Sequence, residues 1–305
     1  MLNIDRALAT SSIVRSLTGL SSVQFAELAE KFQRVLDRQI KADRKKRNPQ
    51  RAAGGGRPHT LESAEAKLFF ILFYLRVYPT MEVAGFLFDV ARSVICDWVK
   101  LYQAVLEQTL GTTSDLPKRK IRSVEEFIRE FPDAERVIID STERTRQRPK
   151  DKERQRSEYS GKKKRHTMKN TLAVNPGTQR ILVLLPTVRG ATSDKRDLEE
   201  SGLVEVIPKD VPIDLDLGYK GLEHAYDGLR LPQKKPRGGE LTAEQKDANR
   251  EHARRRVIVE HCIGHAKRYR SISDIYRNRR PGFNDSVMLT CCGLSNFARR
   301  VQPGT

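Results

Sequence analysis

The apolar and polar positions divide the chain into a helical first part and a mixed second part. Over residues 20–41, Val23, Phe25, Leu28, Phe32, Val35 and Leu36 recur at helical spacing, and Ser21 or Ser22 stands where a cap is needed. A second helical pattern, TLESAEAKLFFILFYLRVY, runs from Thr60 to about Val77. Thr60 is its expected N-cap, in an imperfect capping box with Ser63 where Glu or Gln would complete it. Pro79 ends that helix, Thr80 caps the short helix MEVAGFLF, and a turn at Asp89 leads into VARSVICDWVKLYQAVLEQTL. The texture changes after Gly111–Lys120. SVEEFIREFP predicts a short helix, and the run Val137, Ile138, Ile139 a buried strand. HTMKNTLAVNP and QRILVLLPTV predict a hairpin turning at Pro176-Gly177. A helix at about Asp194–Val206 and the strand VPIDLDLGY follow. A polar insertion from Gln233 to about Asp247 then leads into the long helix ANREHARRRVIVEHCIGHAKRYRSI. Residues 143–164 are so charged that no core is expected there.

Three regions result: residues 1–59, a helical segment ending in a basic linker; 60–118, a helical region; and 119–305, an α/β domain. In the second, two short helices around a tight turn fit a helix-turn-helix, although a small helical bundle has the same spacing. The start of the second helix faces the major groove in such a motif, so Arg92, Ser93 and Lys100 are candidate DNA contacts. In the third, the order strand, hairpin, helix, strand, helix suits a ribonuclease-H-like α/β fold.

Charge sharpens this picture. The 305 residues carry a formal net charge of +18. An excess of that size favours a polyanionic partner, because each neutralised phosphate releases a condensed counterion. The stretch from Ala42 to His59, rich in Lys, Arg and Gly, fits either a solvated loop or an arm that follows a phosphate backbone. The four cysteines are not spaced as CxxC, and the order of Glu260, His261 and His265 is not HExxH, so neither a zinc site nor a disulfide framework is indicated. The start, MLNIDRALATSSIVRSLTGL, lacks the continuous apolar core and cleavage region expected of a secretory signal. The longest apolar run, Leu68 to Leu75, is far short of the roughly 20 residues that span a bilayer. There is no GxxxxGK[ST], so no nucleotide cofactor is expected. A soluble protein sharing a compartment with DNA, cytoplasmic and nucleoid-associated, is the expectation.

Three carboxylates carry candidate chemistry. Asp140 closes the apolar run Val137–Ile139, Asp216 follows Ile213-Asp214-Leu215, and Glu260 lies in the long helix. Strand ends in α/β sheets converge on a crevice, and a flanking helix can supply a third group. Such an oxygen-rich set specifies a hard cation, Mg²⁺ or Mn²⁺. Two metals about 3.5–4 Å apart suit in-line phosphoryl transfer. Asp214 competes with Asp216, because strand alternation points both to one face. Arg256, Glu260 and Lys267 share one helix face with Ile263, so that face is expected to be partly covered, with Val257 and Ile258 packing inward.

VIIDSTE, YSGKKKRHTMKN, DLGYKGL and NREHARRRVIVEHCIGHAKRYR, in this order, resemble the DDE-superfamily insertion-sequence transposases, in the branch that includes the Harbinger-type nucleases. The resemblance runs from about residue 60 to 300. It implies a metal-dependent enzyme that cuts transposon ends and joins the 3′-OH to target DNA, acting as a homodimer. It implies Asp140, Asp216 and Glu260 as metal ligands, and so selects Asp216 over Asp214. Arg256 and Lys267 match the family's Tyr-x2-Arg-x3-Glu-x6-Lys pattern, but Ala253 stands at the Tyr position. Tyr159, Lys162, Lys163, Lys164, His166 and Lys169 are implied DNA contacts near Asp140. The composition agrees: from Arg144 to Lys169 twelve Lys or Arg stand against Asp151, Glu153 and Glu158. A relative that binds DNA without cutting it is the alternative, and a basic protein with no active site a third.

Overall fold

The structure, a computed structural model, describes residues 2–47, 60–223 and 226–300. Residues up to Leu116, with Arg268–Ile272 and Ser286–Ala298, form one compact unit, and Pro117–Lys267 with Ser273–Asp285 another.

The first unit is helical. It contains α1 (Ile4–Leu8), α2 (Ser11–Thr18), α3 (Ser22–Arg47), α4 (Ala64–Val77), α5 (Met81–Phe88) and α6 (Arg92–Thr112). α3 continues six residues into the expected basic linker, because Ala42 to Arg47 are mostly good helix formers and no breaker precedes Pro49. Residues 48–59 of that linker lie outside the described residues. Ser63, not Thr60, caps α4, accepting from the Ala66 amide at 3.0 Å. Leu61 is buried, so the chain before Ser63 is held by packing and does not wind into the helix. Thr80 caps α5 as the pattern predicts. Asp89 then takes a left-handed conformation (φ 54°), the turn at which α5 passes into α6. Phe70 of α4 meets Phe88 of α5 and Trp98 of α6 edge-on, at 5.0 and 5.2 Å between ring centroids. These three aromatics fix the mutual angles of the helices. Gly85 permits the tight turn: a Cβ there would lie 2.8 Å from the Val90 carbonyl oxygen.

The second unit is a mixed sheet with helices. In chain order it holds α7 (Val124–Glu130), β1 (Val137–Thr145), α8 (Lys152–Glu158), β2 (Tyr159–Ser160), β3 (Arg165–Asn175), β4 (Arg180–Leu184), β5 (Val188–Arg189), α9 (Asp194–Ser201), β6 (Ile213–Asp214), β7 (Leu229–Arg230) and α10 (Ala243–Ala266). α11 (Arg270–Ser273) and α12 (Phe283–Ala298) complete the described helices. β1 lies at the centre, antiparallel to β3 and parallel to β6, and β3 pairs in turn with β4. This is the strand arrangement of a ribonuclease-H-like domain. Ile139, Ala173, Val183, Ile213 and Leu215 are at the heart of its core. The β3–β4 turn falls at Pro176-Gly177, with the Asn175 side chain accepting from the Gly177 amide at 2.8 Å.

Three expectations need correction. β1 runs on to Thr145, paired with β3 from Ile138 to that end, and Arg144, Glu158 and Ser160 are buried, so residues 143–164 do contribute to the interior. Arg144 tolerates burial because Asn170, Thr187 and the Asn284 carbonyl accept from its guanidinium. α10 starts at Ala243, earlier than the polar composition indicates, through a complete capping box of Thr242 and Gln245. Its inward side is His252, Val259, Cys262, Ile263 and Ala266, whereas Val257 is exposed.

Candidate active site

Asp140 sits in the middle of β1, and its neighbours fix it from below. Its Oδ1 accepts from the Ser141 amide at 2.8 Å. The Ser141 hydroxyl shares hydrogen bonds with Thr171 (2.7 Å) and the hydroxyl of Tyr219 (2.8 Å), and Thr171 donates to Asp197 (2.5 Å). Tyr219 is buried, and burial raises its phenol well above the usual tyrosine range. No periodic pattern marks this chain of hydroxyls in the sequence, although Tyr219 lies inside the motif DLGYKGL.

Asp214 and Asp216 separate. β6 ends at Asp214, and Asp216 instead caps the short 3₁₀ turn Leu217–Tyr219, accepting from the Leu217 amide at 2.7 Å. Strand alternation therefore does not apply to the pair. Asp214 is fully buried among Arg136 (2.9 Å), His252 (3.6 Å) and Arg255 (3.7 Å), a structural ion cluster. Asp216 is half-exposed and faces Asp140 across Arg256. The Arg256 guanidinium lies 3.5 Å from Asp140 Oδ2 and 3.3 Å from Asp216 Oδ1. One residue earlier on α10, Arg255 reaches Asp214, so consecutive arginines serve the two aspartates.

Burial raises the Asp140 carboxyl above its ordinary value, while Arg256 and the Ser141 amide work the other way and Asp216 and Asp194 add to the rise. Lys267 lies nearby, its Nζ 3.5 Å from the Glu143 carbonyl oxygen. Burial, and then the charges of Lys163 and Arg144, lower its pKa, opposed by Glu143 and Asp140. Arg256 and Lys267 thus place positive charge beside Asp140, and Lys163 adds to the field at Lys267.

The other candidates fall in different places. Glu260 shares the α10 face with Arg256, Ile263 and Lys267; Ile263 is buried as expected, but Glu260 is exposed and forms no ion pair among the described residues. Arg256, four residues earlier on α10, pairs with Asp140 and Asp216 and not with Glu260. Lys162, Lys163 and Lys164 are exposed in the turn before β3, and Tyr159 and His166 form an edge-on ring contact at 5.7 Å beside it. Lys169 is buried, bonded to the Thr192 carbonyl and paired with Asp194, both at 2.7 Å. Its side chain is thus held within the protein in this structure. Asp194 is the missed residue of the region: it acts on Asp140 electrostatically and approaches Gly218. In the helical unit Arg92, Ser93 and Lys100 are all exposed on α6.

Among the described residues no group of three His, Cys, Asp or Glu side chains is close enough to hold a metal ion. The two aspartates around one cation position nevertheless form an all-oxygen donor set, which fits a hard divalent ion and not zinc or copper. Among the described residues no helix is long and apolar enough to cross a membrane.

Comparison with known proteins gives the family. Residues 139–296 match the family model described as DDE superfamily endonuclease, and residues 59–112 match that of the helix-turn-helix of DDE superfamily endonuclease. A relative from Microchaete diplosiphon, described as the probable transposase for insertion sequence element IS702, is 30% identical over 249 residues, 80% of this chain and 82% of its own. No solved structure matches.

Proposed function

Because the chain belongs to the DDE superfamily of endonucleases and carries that superfamily's helix-turn-helix, we propose that it is a transposase that cuts DNA at transposon ends and joins the freed 3′-OH to target DNA. The observation that carries this reading is the pair Asp140 and Asp216, drawn from two different elements to a single cation position. Asp140 and Asp216 would hold Mg²⁺ or Mn²⁺; Glu260 is the third ligand that the family resemblance implies, although in this structure it does not join them. Such an ion lowers the pKa of a bound water or hydroxyl and stabilises the leaving oxygen of an in-line displacement.

The chain's own residues supply the rest. Ser141, Tyr219 and Thr171 hold Asp140 in place, and rigid support of this kind keeps a reacting geometry. Arg256, Lys267 and the turn Lys162–Lys164 attract the phosphodiester, with Tyr159 and His166 beside them. Arg92, Ser93 and Lys100 contact the transposon end from α6, where backbone and base contacts set register and sequence. Two ends must be joined, so the working form is a homodimer on DNA, within a compartment that contains DNA.

The test is metal-dependent cleavage of a duplex carrying the element's terminal repeats, comparing wild type with Asp140→Asn and Glu260→Gln. Cutting that needs Mg²⁺ or Mn²⁺ and disappears in both variants is the expected result. The exposure of Glu260 favours a second reading, a DNA-binding relative without nuclease activity. Tight binding of the ends without cutting in any of the three proteins would establish that one instead.

A further inference from the structure

The α/β unit has a second, strongly basic feature away from the two aspartates. A cavity of about 280 Å³ opens between residues 146–151, the start of α8 and the segment 276–279. Backbone pairing builds its wall: the Tyr276 amide donates to the Thr145 carbonyl at 2.9 Å, and the Gln147 amide to the Tyr276 carbonyl at 3.3 Å. Six cationic side chains line it, Arg146, Arg148, Lys150, Arg154, Arg277 and Arg279, against the single lining acid Asp151. Asp151 is already committed, since its carboxylate caps α8 by accepting from the Arg154 amide at 2.8 Å. Glu158 takes up the charge of Arg146 and Arg154, at 3.1 Å from each. Arg148, Lys150 and Arg279 form no ion pair among the described residues.

Arg148 is held in a way that matters. Its Nε and Nη2 both donate to the Gln155 side-chain oxygen, at 3.0 and 2.7 Å, and the Gln155 amide donates onward to the Pro149 carbonyl at 2.8 Å. The guanidinium is thus oriented by a neutral group, and its positive charge is left uncompensated. A guanidinium pre-oriented in this way loses little freedom when it takes an oxygen anion, and planar bidentate contact with phosphate is its preferred use.

We propose that this cavity holds a backbone phosphate of duplex DNA, as a contact separate from the reacting one. Arg146, the residue directly after β1, follows Asp140 by six residues of extended chain, a span of about 20 Å at roughly 3.3 Å per residue. That is about six nucleotide steps at roughly 3.4 Å each, so the cavity anchors DNA well to one side of the phosphate at Asp140. The inference rests on the DNA-cutting reading above and adds to it a place where the flanking duplex is gripped.

The experiment measures duplex binding by fluorescence anisotropy over a series of salt concentrations, for wild type and for Arg148→Gln combined with Arg279→Gln. Losing the one phosphate held there lowers the slope of log K against log salt by about 0.9, with weaker binding at low salt and an unchanged melting temperature. If that variant melts early, Lys150→Gln with Arg279→Gln takes its place, since neither side chain forms a hydrogen bond or ion pair among the described residues. An unchanged slope in a folded variant overturns the proposal and leaves the transposase reading standing. Failure of wild type to bind duplex at any salt overturns both. A second arm adds inorganic phosphate at constant ionic strength. If it raises the melting temperature of wild type but not of the variant, and the DNA slopes are equal, the cavity takes free phosphate and the DNA assignment is overturned.

Discussion

The guanidinium of Arg256 lies 3.5 Å from the carboxylate of Asp140, and its other terminal nitrogen 3.3 Å from Asp216. A positive charge therefore occupies the position that two converging aspartates prepare for a cation. Binding of a divalent ion there has to compete with the arginine. Replacing it by an uncharged residue removes the competitor and leaves both ligands. Arg256→Gln is expected to bind Mn²⁺ about tenfold more tightly than wild type in the absence of DNA, equivalent to about 1.4 kcal/mol. Titration followed by the EPR signal of free Mn²⁺ measures this without reference to activity. Equal or weaker binding would show that the arginine helps to organise the ligands and does not compete for them.

Tyr219 supports Asp140 indirectly. Its hydroxyl meets Ser141, the residue next to the aspartate, and Ser141 in turn meets Thr171. Tyr219→Phe keeps the buried ring and removes only that contact. The expected loss is about 1–2 kcal/mol in urea unfolding, the usual cost of leaving a buried hydroxyl short of a partner. Cleavage is expected to fall while duplex affinity stays constant. A variant of wild-type stability and rate would remove Tyr219 from the support of the site.

Most elements were legible because their signals are local. Thr80 and Pro79 place the start of α5, the run Val137–Ile139 places β1, and Pro176-Gly177 places the β3–β4 turn. What was not legible depends on partners distant in sequence. Asp214 and Asp216 look alike until Arg136, His252 and Arg255 bury one and Arg256 takes the other. Lys169 looks like one more surface cation in a basic stretch until Asp194, in α9, pairs with it. Arg144 likewise reads as part of a solvated loop, and acceptors distant in sequence, Asn170, Thr187 and the Asn284 carbonyl, allow it inside. The grouping of Ser286–Ala298 with the first helical unit has no local signal either; it rests on contacts such as Gln103 with Thr290 at 2.7 Å.

Gly85 tests the turn of the helix-turn-helix. An added Cβ would stand 2.8 Å from the Val90 carbonyl oxygen and 3.6 Å from the Arg92 amide nitrogen. Both are backbone atoms, and they cannot rotate away as a side chain would. Gly85→Ala must therefore open the α5–α6 turn, at an expected cost of about 1–3 kcal/mol. The start of α6, with Arg92 and Ser93, would shift with it. Weaker binding of the terminal repeats with little change in binding of unrelated duplex is the expected pattern in a competition assay. Full specificity in a destabilised variant would separate the turn from recognition.

Asp197 makes the last prediction, one of pH dependence. Burial raises its carboxyl above the ordinary aspartate value, against the opposing effects of the Thr171 hydrogen bond and of Lys169. A carboxyl raised in the folded state holds its proton more tightly there than in the unfolded chain. Its contribution to stability is thus fully present below the unfolded pKa, about 3.9, and is lost as pH rises through the higher folded value. Asp197→Asn keeps an acceptor for the Thr171 hydroxyl, 2.5 Å away, and has no proton to lose. Across that window the variant is expected to lose less stability with rising pH than wild type does, in urea unfolding at several pH values. Two parallel profiles would mean that Asp197 ionises in the folded protein as freely as in the unfolded one, and that the hydroxyl chain beneath Asp140 is insensitive to its charge.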